Sequence, residues 1–258
     1  MKPTFLFVPI ALFHAGCVSG EISAADYIDD GNDSEESIPM PSSDLDEDDD
    51  DNASDTASPS QDGPVFYEFS SQDSLLYVQV FKDETAWGSG FAHNHVVRAS
   101  NWNGSLFFDP NDPSDCEMEF SLTVEDLVVD EDTMREVVGY NDTIASDDRD
   151  QIRGHMLASN QLNVTQYPEM TFESNNCDSD PGALSGSLQV TGDLEIIGNA
   201  ASTNITLDFN LQGGRFYGNG GFQMNHSDFG LEPYSAFAGA VRNAEKLVFS
   251  FDMVGSAN

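Results

Sequence analysis

Four stretches of this chain alternate apolar and polar residues with a period of two. Their apolar members are Cys116-Met118-Phe120-Leu122-Val124, Leu184-Leu188-Val190-Leu194-Ile196, Ile205-Leu207-Phe209-Leu211 and Leu247-Phe249-Phe251-Met253. Successive side chains of a β-strand point to opposite faces, so each stretch has one apolar face and one polar face. Long antiparallel strands of this kind bury their apolar faces by stacking as a sandwich or by closing into a barrel. The pattern therefore predicts an all-β domain.

A barrel of about eight strands has a lumen that side chains can fill or that one small ligand can occupy. We expect strands at about 65–70, 75–81, 116–124, 168–175, 184–197, 203–211, 215–224 and 246–254, with the first two forming a hairpin. One short helix is predicted to begin with Ser146 as its capping residue, because Asp147 and Asp148 then lie in its first turn.

The first seventeen residues have the pattern of an export signal. Lys2 is followed by an apolar run too short to span a bilayer, and Ala15-Gly16 precedes Cys17. Small residues directly before a Cys resemble the bacterial lipobox, although His14 stands where that pattern prefers Leu. The prediction is a lipoprotein-type signal peptide at 1–16, a lipidated Cys17 and a bacterial cell-envelope location. Because Val18 rather than Asp follows, we expect the outer membrane. The alternative is an ordinary signal peptide with an incidental Cys.

The next segment is strongly acidic. Residues 18–63 contain sixteen Asp or Glu and no Lys or Arg. Such a composition cannot bury enough apolar surface to offset its ordering entropy. We expect 17–63 to be a disordered linker that begins at the lipidated Cys, and 64–258 to be the β domain.

The charge of the whole chain, −37, limits its partners. Residues 64–258 hold 30 acidic and 8 basic residues, so no basic patch is expected to neutralise phosphates and nucleic-acid binding is excluded. No nucleophile elbow, dinucleotide fingerprint or phosphate loop occurs, and we expect no enzymatic activity and no required cofactor.

Cys116 and Cys177 would lie in an oxidising compartment. Antiparallel pairing of their segments brings the thiols together and predicts a disulfide. Two buried free thiols are the alternative.

His93 and His95 are two residues apart, so on a strand both imidazoles share a face. They are candidates to contact the polar head group of a ligand, or to play a structural role. A metal site would need further ligands such as His155 or His226, which the sequence cannot place nearby, and no metal is predicted.

The strand faces also supply candidate residues to line a ligand cavity. These are Phe91, Trp102, Phe107, Met118, Phe120, Leu122, Phe172, Leu188, Val190, Leu207, Phe209, Phe222, Phe249 and Phe251. For each residue alone, plain core packing is the alternative.

Several motifs, in a constant order over about 65–255, resemble the YceI-like family. They read GFAHNH at 90–95, GSLFFD at 104–109, DQIRGHML at 150–157, YPEMTFES at 167–174, GDLEIIG at 192–198 and DFG at 228–230. The pair His93 and His95 is similar to the double-His form of a subset of that family. The chain differs in having Asn225 or His226 where the family has an arginine, and in its acidic segment 125–145.

The resemblance implies an extended, lipocalin-like antiparallel barrel that holds an isoprenoid or fatty amphiphile. The first functional hypothesis is accordingly a binding or carrier protein for a long apolar molecule. The lipid on Cys17 would anchor this protein to the membrane of the cell envelope. The second is a metal- or haem-associated redox accessory that uses the His pair. The third is a packed barrel with a structural or interaction role.

Overall fold

A computed structural model of the protein describes residues 63–258. The predicted signal peptide at 1–16, the predicted lipidation site Cys17 and positions 18–62 of the predicted linker lie outside the described residues.

The described chain is mostly β-structure. The strands are β1 (Val65–Ser70), β2 (Leu75–Lys82), β3 (His95–Ala99), β4 (Trp102–Phe108), β5 (Glu117–Thr123), β6 (Leu127–Val129), β7 (Glu169–Asp178), β8 (Ser185–Ile196), β9 (Asn199–Gln212), β10 (Arg215–Asn225), β11 (Ser235–Ala236) and β12 (Val241–Ala257). The α-helices are α1 (Asp132–Val137) and α2 (Ser146–Leu157), and short 3-10 turns occur at Ser89–Phe91, Val124–Asp126, His226–Phe229 and Phe237–Gly239.

Three pairs of short strands each behave as one long, interrupted strand. Strands β1 and β2 both run antiparallel to β12. On their other side, β1 pairs with β4 and β2 pairs with β3. Strand β4 then pairs with β5, and β3 pairs with β6. The predicted hairpin between 65–70 and 75–81 is therefore wrong. The residues between them bend one strand and do not reverse it.

Counted in this way, eight long antiparallel strands form a closed ring in chain order. The ring continues through β7, β8, β9, β10 and β12, and β12 returns to β1 and β2. The predicted eight-stranded, lipocalin-like barrel is confirmed. In β9 the apolar residues of the alternation are buried and Thr206 and Asp208 between them are exposed, so that strand's predicted inward face is also confirmed.

Two helices, not one, are inserted between β6 and β7. Helix α2 begins at the predicted place, but Ala145 occupies the capping position and Ser146 is the first helical residue, without a side-chain cap. Helix α1 lies within the acidic segment 125–145. The sequence does not predict it, because a six-residue helix gives little apolar periodicity among so many charged residues. Neither described helix has the length and apolar character that a membrane crossing requires.

The two ends of the barrel differ. One end, the closed end, is filled by Tyr67, Phe69, Phe108, Phe209 and Phe216, whose rings contact one another at centroid distances of 5.5–6.4 Å. A disulfide between Cys116 and Cys177, with Cα atoms 5.9 Å apart, joins β7 to the segment before β5 in this half. The other half contains β2, β3, β6 and α2, and it is not filled.

Candidate functional site

The unfilled half of the barrel encloses a cavity of about 570 Å³. Its walls are mainly apolar and come from the long strands, from β2 and β3, and from the inner face of α2, where Ile152 and Met156 lie. The volume lies within the usual range for small-molecule sites, about 300–1,000 Å³. This half of the barrel therefore has room for one elongated apolar molecule.

Five of the predicted lining residues border this cavity. They are Phe91, Phe120, Leu122, Phe222 and Phe249. Two pairs of rings stack in its wall region: Phe222 on Phe249 at 4.8 Å and Phe120 on Phe172 at 4.9 Å. Phe172 itself is fully buried behind Phe120 and does not line the cavity.

The other predicted lining residues also lie outside the cavity. Trp102, Met118 and Phe251 surround a void of about 10 Å³ below it. The hydrophobic core buries Leu188, Val190, Leu207 and Phe209. Phe107 lies on the outer face of β4, between Leu106 and Phe108, whose side chains are buried inside the barrel. The assignments of the buried residues require correction because the period of two separates inside from outside but carries no information on height along the barrel axis. The assignment of Phe107 is wrong in face, since Trp102 and Phe107 are five residues apart and cannot share one face of a strand.

Both predicted head-group histidines border the cavity, at its mouth. The Nδ1 atom of His95 donates to Oδ2 of Asp130 at 2.7 Å, and Nδ1 of His93 donates to Oδ2 of Asp142 at 2.6 Å. Each imidazole is thus oriented by a carboxylate at one nitrogen. The structure gives the Nε2 atoms no hydrogen-bond partner among residues 63–258, which leaves them available to a ligand.

Asp130 and Arg135 form the buried base of this arrangement. Asp130 is 0% exposed and accepts hydrogen bonds from His95, from the amide of Val96 and from Nη1 of Arg135. Arg135, 2% exposed, also donates to the carbonyl of Asn94 and to Asp142. Burial alone would raise the pKa of Asp130, but these hydrogen bonds outweigh it and hold the pKa below its ordinary value. Asp130 is therefore an ionised carboxylate.

Two more histidines line the cavity. His155 on α2 lies against the ring of Tyr234 at 5.2 Å, and His226 is buried with Nδ1 donating to the carbonyl of Glu245. Burial lowers the pKa of His226 below its ordinary value. Among the described residues, no group of three or more His, Cys, Asp or Glu is arranged to hold a metal ion.

The cavity lining contains few charged side chains. The cavity is bordered by four histidines and by Asp148, while no Lys or Arg among residues 63–258 lines it. The arginine nearest the His pair, Arg135, is committed to Asp130 and Asp142. Within the described part of the chain, the site therefore offers hydrogen-bonding groups but no lysine or arginine that is free to pair with an anion.

The sequence did not identify Asp130, Arg135 and Asp142 as the partners of the His pair. All three lie in segment 125–145, where acids are so abundant that none stands out. For the contribution of α2, a sequence signal is the spacing of Ile152 and Met156, which are four residues apart and therefore share one helix face.

Comparison with known proteins places these features in context. A family model of the YceI-like domain matches residues 79–253. Among solved structures, BcnA of Burkholderia cenocepacia is 14% identical, with a TM-score of 0.49 over 70% of this chain and 95% of its own. A polyisoprenoid-binding domain from Saccharophagus degradans, implicated in plant cell wall breakdown, is 13% identical, with a TM-score of 0.49 over 75% of this chain and 99% of its own.

The YCEI protein of Campylobacter jejuni is 13% identical, with a TM-score of 0.42 over 63% of this chain and 84% of its own. A search of curated proteins finds no match.

Proposed function

Because this chain belongs to the YceI-like family, we propose that it binds one long-chain amphiphile, of isoprenoid or fatty type, inside its barrel. The resemblance to the YceI-like family implies such a ligand, and the similar domain from Saccharophagus degradans is described as polyisoprenoid-binding. The observation that carries the proposal is the cavity of about 570 Å³ with apolar walls in one half of the barrel, beside a half that is fully packed. A barrel with a purely structural role would gain stability by filling that space, since empty apolar volume costs packing energy.

The polar end of the ligand contacts His93 and His95 in this proposal. No residue of the described range 63–258 hydrogen-bonds to their Nε2 atoms, and the carboxylates of Asp142 and Asp130 fix the orientation of the rings. Because the lining within residues 63–258 holds no Lys or Arg, the site favours a head group that forms hydrogen bonds without phosphate charge, such as a hydroxyl or a carbonyl. The missing family arginine at Asn225 or His226 agrees with this preference.

Within the alternative of a metal- or haem-associated redox accessory, a metal ion held by protein ligands alone receives less support. A carboxylate at Nδ1 is typical of metal-bound imidazoles, but a tetrahedral site needs at least three protein ligands. No such group occurs in the described part of the chain.

Export and anchoring belong to the same proposal. Residues 1–16 would direct export, and a lipid on Cys17 would hold the barrel at the cell envelope, in the outer membrane. The support is the sequence Ala15-Gly16-Cys17 after an apolar run. Replacing Cys17 by Ser should release the protein into the soluble fraction, and a protein that stays membrane-bound would contradict the anchor.

The cavity is tested by native mass spectrometry of protein purified without added lipid. The parent should carry a long-chain amphiphile, whereas Val97→Phe, which adds bulk to a buried cavity wall, should carry less. The control is Val254→Phe, on the outer face of β12. Equal ligand content in the two variants would sink the cavity assignment. A parent without ligand that also fails to take up the hydrophobic dye N-phenyl-1-naphthylamine would favour a structural barrel.

A further inference from the structure

Three large aromatic side chains lie exposed near the mouth of the cavity. Trp87 is 81% exposed, Phe91 is 85% exposed and Phe237 is 80% exposed. Phe91 and Phe237 also border the cavity. Elsewhere on the described barrel the exposed large apolar residues are less exposed, with Phe66 at 41% and Tyr217 at 40%. We call Trp87, Phe91 and Phe237 the aromatic rim.

The two turns that carry the aromatic rim are fastened to each other. The amide of Gly88 donates to the carbonyl of Ala240 at 3.0 Å, while the amide of Phe91 donates to Gly88 and that of Ala240 donates to Phe237. A Cβ at position 88 would lie 2.7 Å from the carbonyl oxygen of Ala240, so this close approach requires glycine. The three rings therefore belong to one surface.

The backbone beneath Phe237 is strained. Phe237 and Ala238 have φ angles of 51° and 55°, in the left-handed region that L-residues with a Cβ avoid. This conformation holds a phenyl ring in water at the edge of an apolar cavity. Strain that keeps an apolar side chain exposed points to a surface whose partner is another molecule.

We propose that the aromatic rim docks onto the surface of a zwitterionic lipid bilayer, so that the cavity opens toward the acyl chains. This inference rests on the proposed binding of a long-chain amphiphile. Tryptophan favours the interface between lipid and water, and phenylalanine is one of the apolar residues that membrane-surface segments insert at the boundary between head groups and acyl chains. Because two rim residues also border the cavity, an amphiphile that enters there moves from lipid to lumen without exposing its apolar part to water.

Charge and chain length restrict the kind of membrane contact. Residues 64–258 hold 30 acidic and 8 basic residues, so anionic lipid would repel the barrel and zwitterionic lipid would not. Gly63 precedes β1 at the closed end, away from the mouth. The residues between Cys17 and Gly63 have a maximal length of about 150 Å, against about 55 Å for a strand as long as β12. An anchor at Cys17 therefore permits the mouth to reach the same bilayer.

The two tryptophans of the chain make the contact measurable. Trp87 is on the rim, whereas Trp102 is 4% exposed inside the barrel. The full chain is mixed with phosphatidylcholine vesicles whose acyl chains are brominated, and tryptophan emission is recorded. We expect the emission to shift to the blue and to be quenched. We also expect Trp87→Phe to remove the quenching, because the remaining tryptophan is buried.

Matched variants separate the rim from the anchor, since all share one N-terminus. The double variant Phe91→Ser with Phe237→Ser should lose most of the quenching, and Phe66→Ser, an exposed ring on β1 toward the closed end, should keep it. Iodide quenching of Trp87 without vesicles and far-ultraviolet circular dichroism of each variant check that the fold persists. Phosphatidylglycerol vesicles should give weaker quenching than phosphatidylcholine.

The proposal is overturned if bromolipid leaves Trp87 unquenched, or if the rim variant is quenched as strongly as Phe66→Ser. It is also overturned if sedimentation shows that the rim pairs two copies of the chain, with dimers that the double variant breaks. Uptake of N-phenyl-1-naphthylamine from water is measured in parallel. If the parent takes up the dye but bromolipid does not quench Trp87, only the docking proposal is refuted. If the parent does not take up the dye, the proposed binding function is refuted.

Discussion

Replacing Asp130 by Asn tests the buried base beneath the His pair. The substitution keeps the shape of the side chain, and Asn also tolerates the φ of 53° at this position. It removes the charge that faces Arg135, which is 2% exposed. Breaking a buried ion pair costs about 3–5 kcal/mol. Because Arg135 keeps its contacts with Asp142 and Asn94, we expect a loss of about 3 kcal/mol, at the lower end of that range.

Urea denaturation at pH 7 measures this loss. The matched control is Glu131→Gln at the next residue, whose pair with Arg98 at 2.6 Å is partly exposed. An ion pair of that kind contributes less than about 1 kcal/mol. Equal, small losses in the two variants would refute the idea that the Asp130–Arg135 pair supports this end of the barrel. An altered slope of the denaturation curve would instead indicate a change in the surface exposed on unfolding.

The pH dependence gives a second, independent check. The pKa of Asp130 is lowered in the folded protein, so its contribution to stability is fully present above pH of about 4. That contribution is lost as the pH falls through the folded-state pKa. Asn at this position has no proton to take up. The difference in stability between parent and Asp130→Asn should therefore narrow below pH of about 4, and a constant difference there would contradict the mechanism.

Three further outcomes follow from the structure. Reducing the Cys116–Cys177 disulfide should lower stability by up to about 4 kcal/mol in the chain-entropy model, measured as a drop in the urea midpoint, and no drop would refute it. Gly220→Ala should cost about 1–3 kcal/mol, because its Cβ would clash with the backbone carbonyl oxygen of Thr206 in β9. Gly154→Ala, in α2 with no atom within 4 Å, should gain about 0.5–1 kcal/mol, and the reverse order of the two melting temperatures would contradict the packing. Burial lowers the pKa of His226, so its stabilising effect is present above pH of about 6.5 and is lost as the pH falls through the folded pKa. An NMR titration midpoint of His226 at or above 6.5 would refute this.

The alternating strand pattern predicted which side chains point into the barrel better than it predicted which of them line the cavity. Leu194 and Leu207 both belong to inward faces and look alike in sequence, yet Leu194 lines the cavity and Leu207 is packed in the core. Their difference is one of height in the barrel, which depends on the stagger between neighbouring strands. That stagger is set by turns and bulges far along the chain, such as the register shift in β12 between Asn243 and Leu247.

Local sequence patterns also gave wrong predictions where the same residues are compatible with two structures. Residues 71–74 carry the composition of a tight turn, but the same residue types allow a bend within one long strand. The partners of His93 and His95 were hidden for another reason. Asp130 and Asp142 are ordinary members of an acidic segment until Arg135 brings them together. Long-range pairing, not local preference, decided both cases.

The order of the strands around the ring has a consequence for the way in which the protein is made. Every long strand pairs with its neighbours in sequence except at one seam, where β12 meets β1 and β2. A hydrogen bond across that seam, from Asn258 to Glu68, joins residues 190 positions apart. Bringing such distant segments together costs about 4–5 kcal/mol of chain entropy. Until β12 is synthesised, the sheet has two open edges, and such edges attract other strands. Correct folding thus depends on keeping chains with an unfinished ring apart from one another.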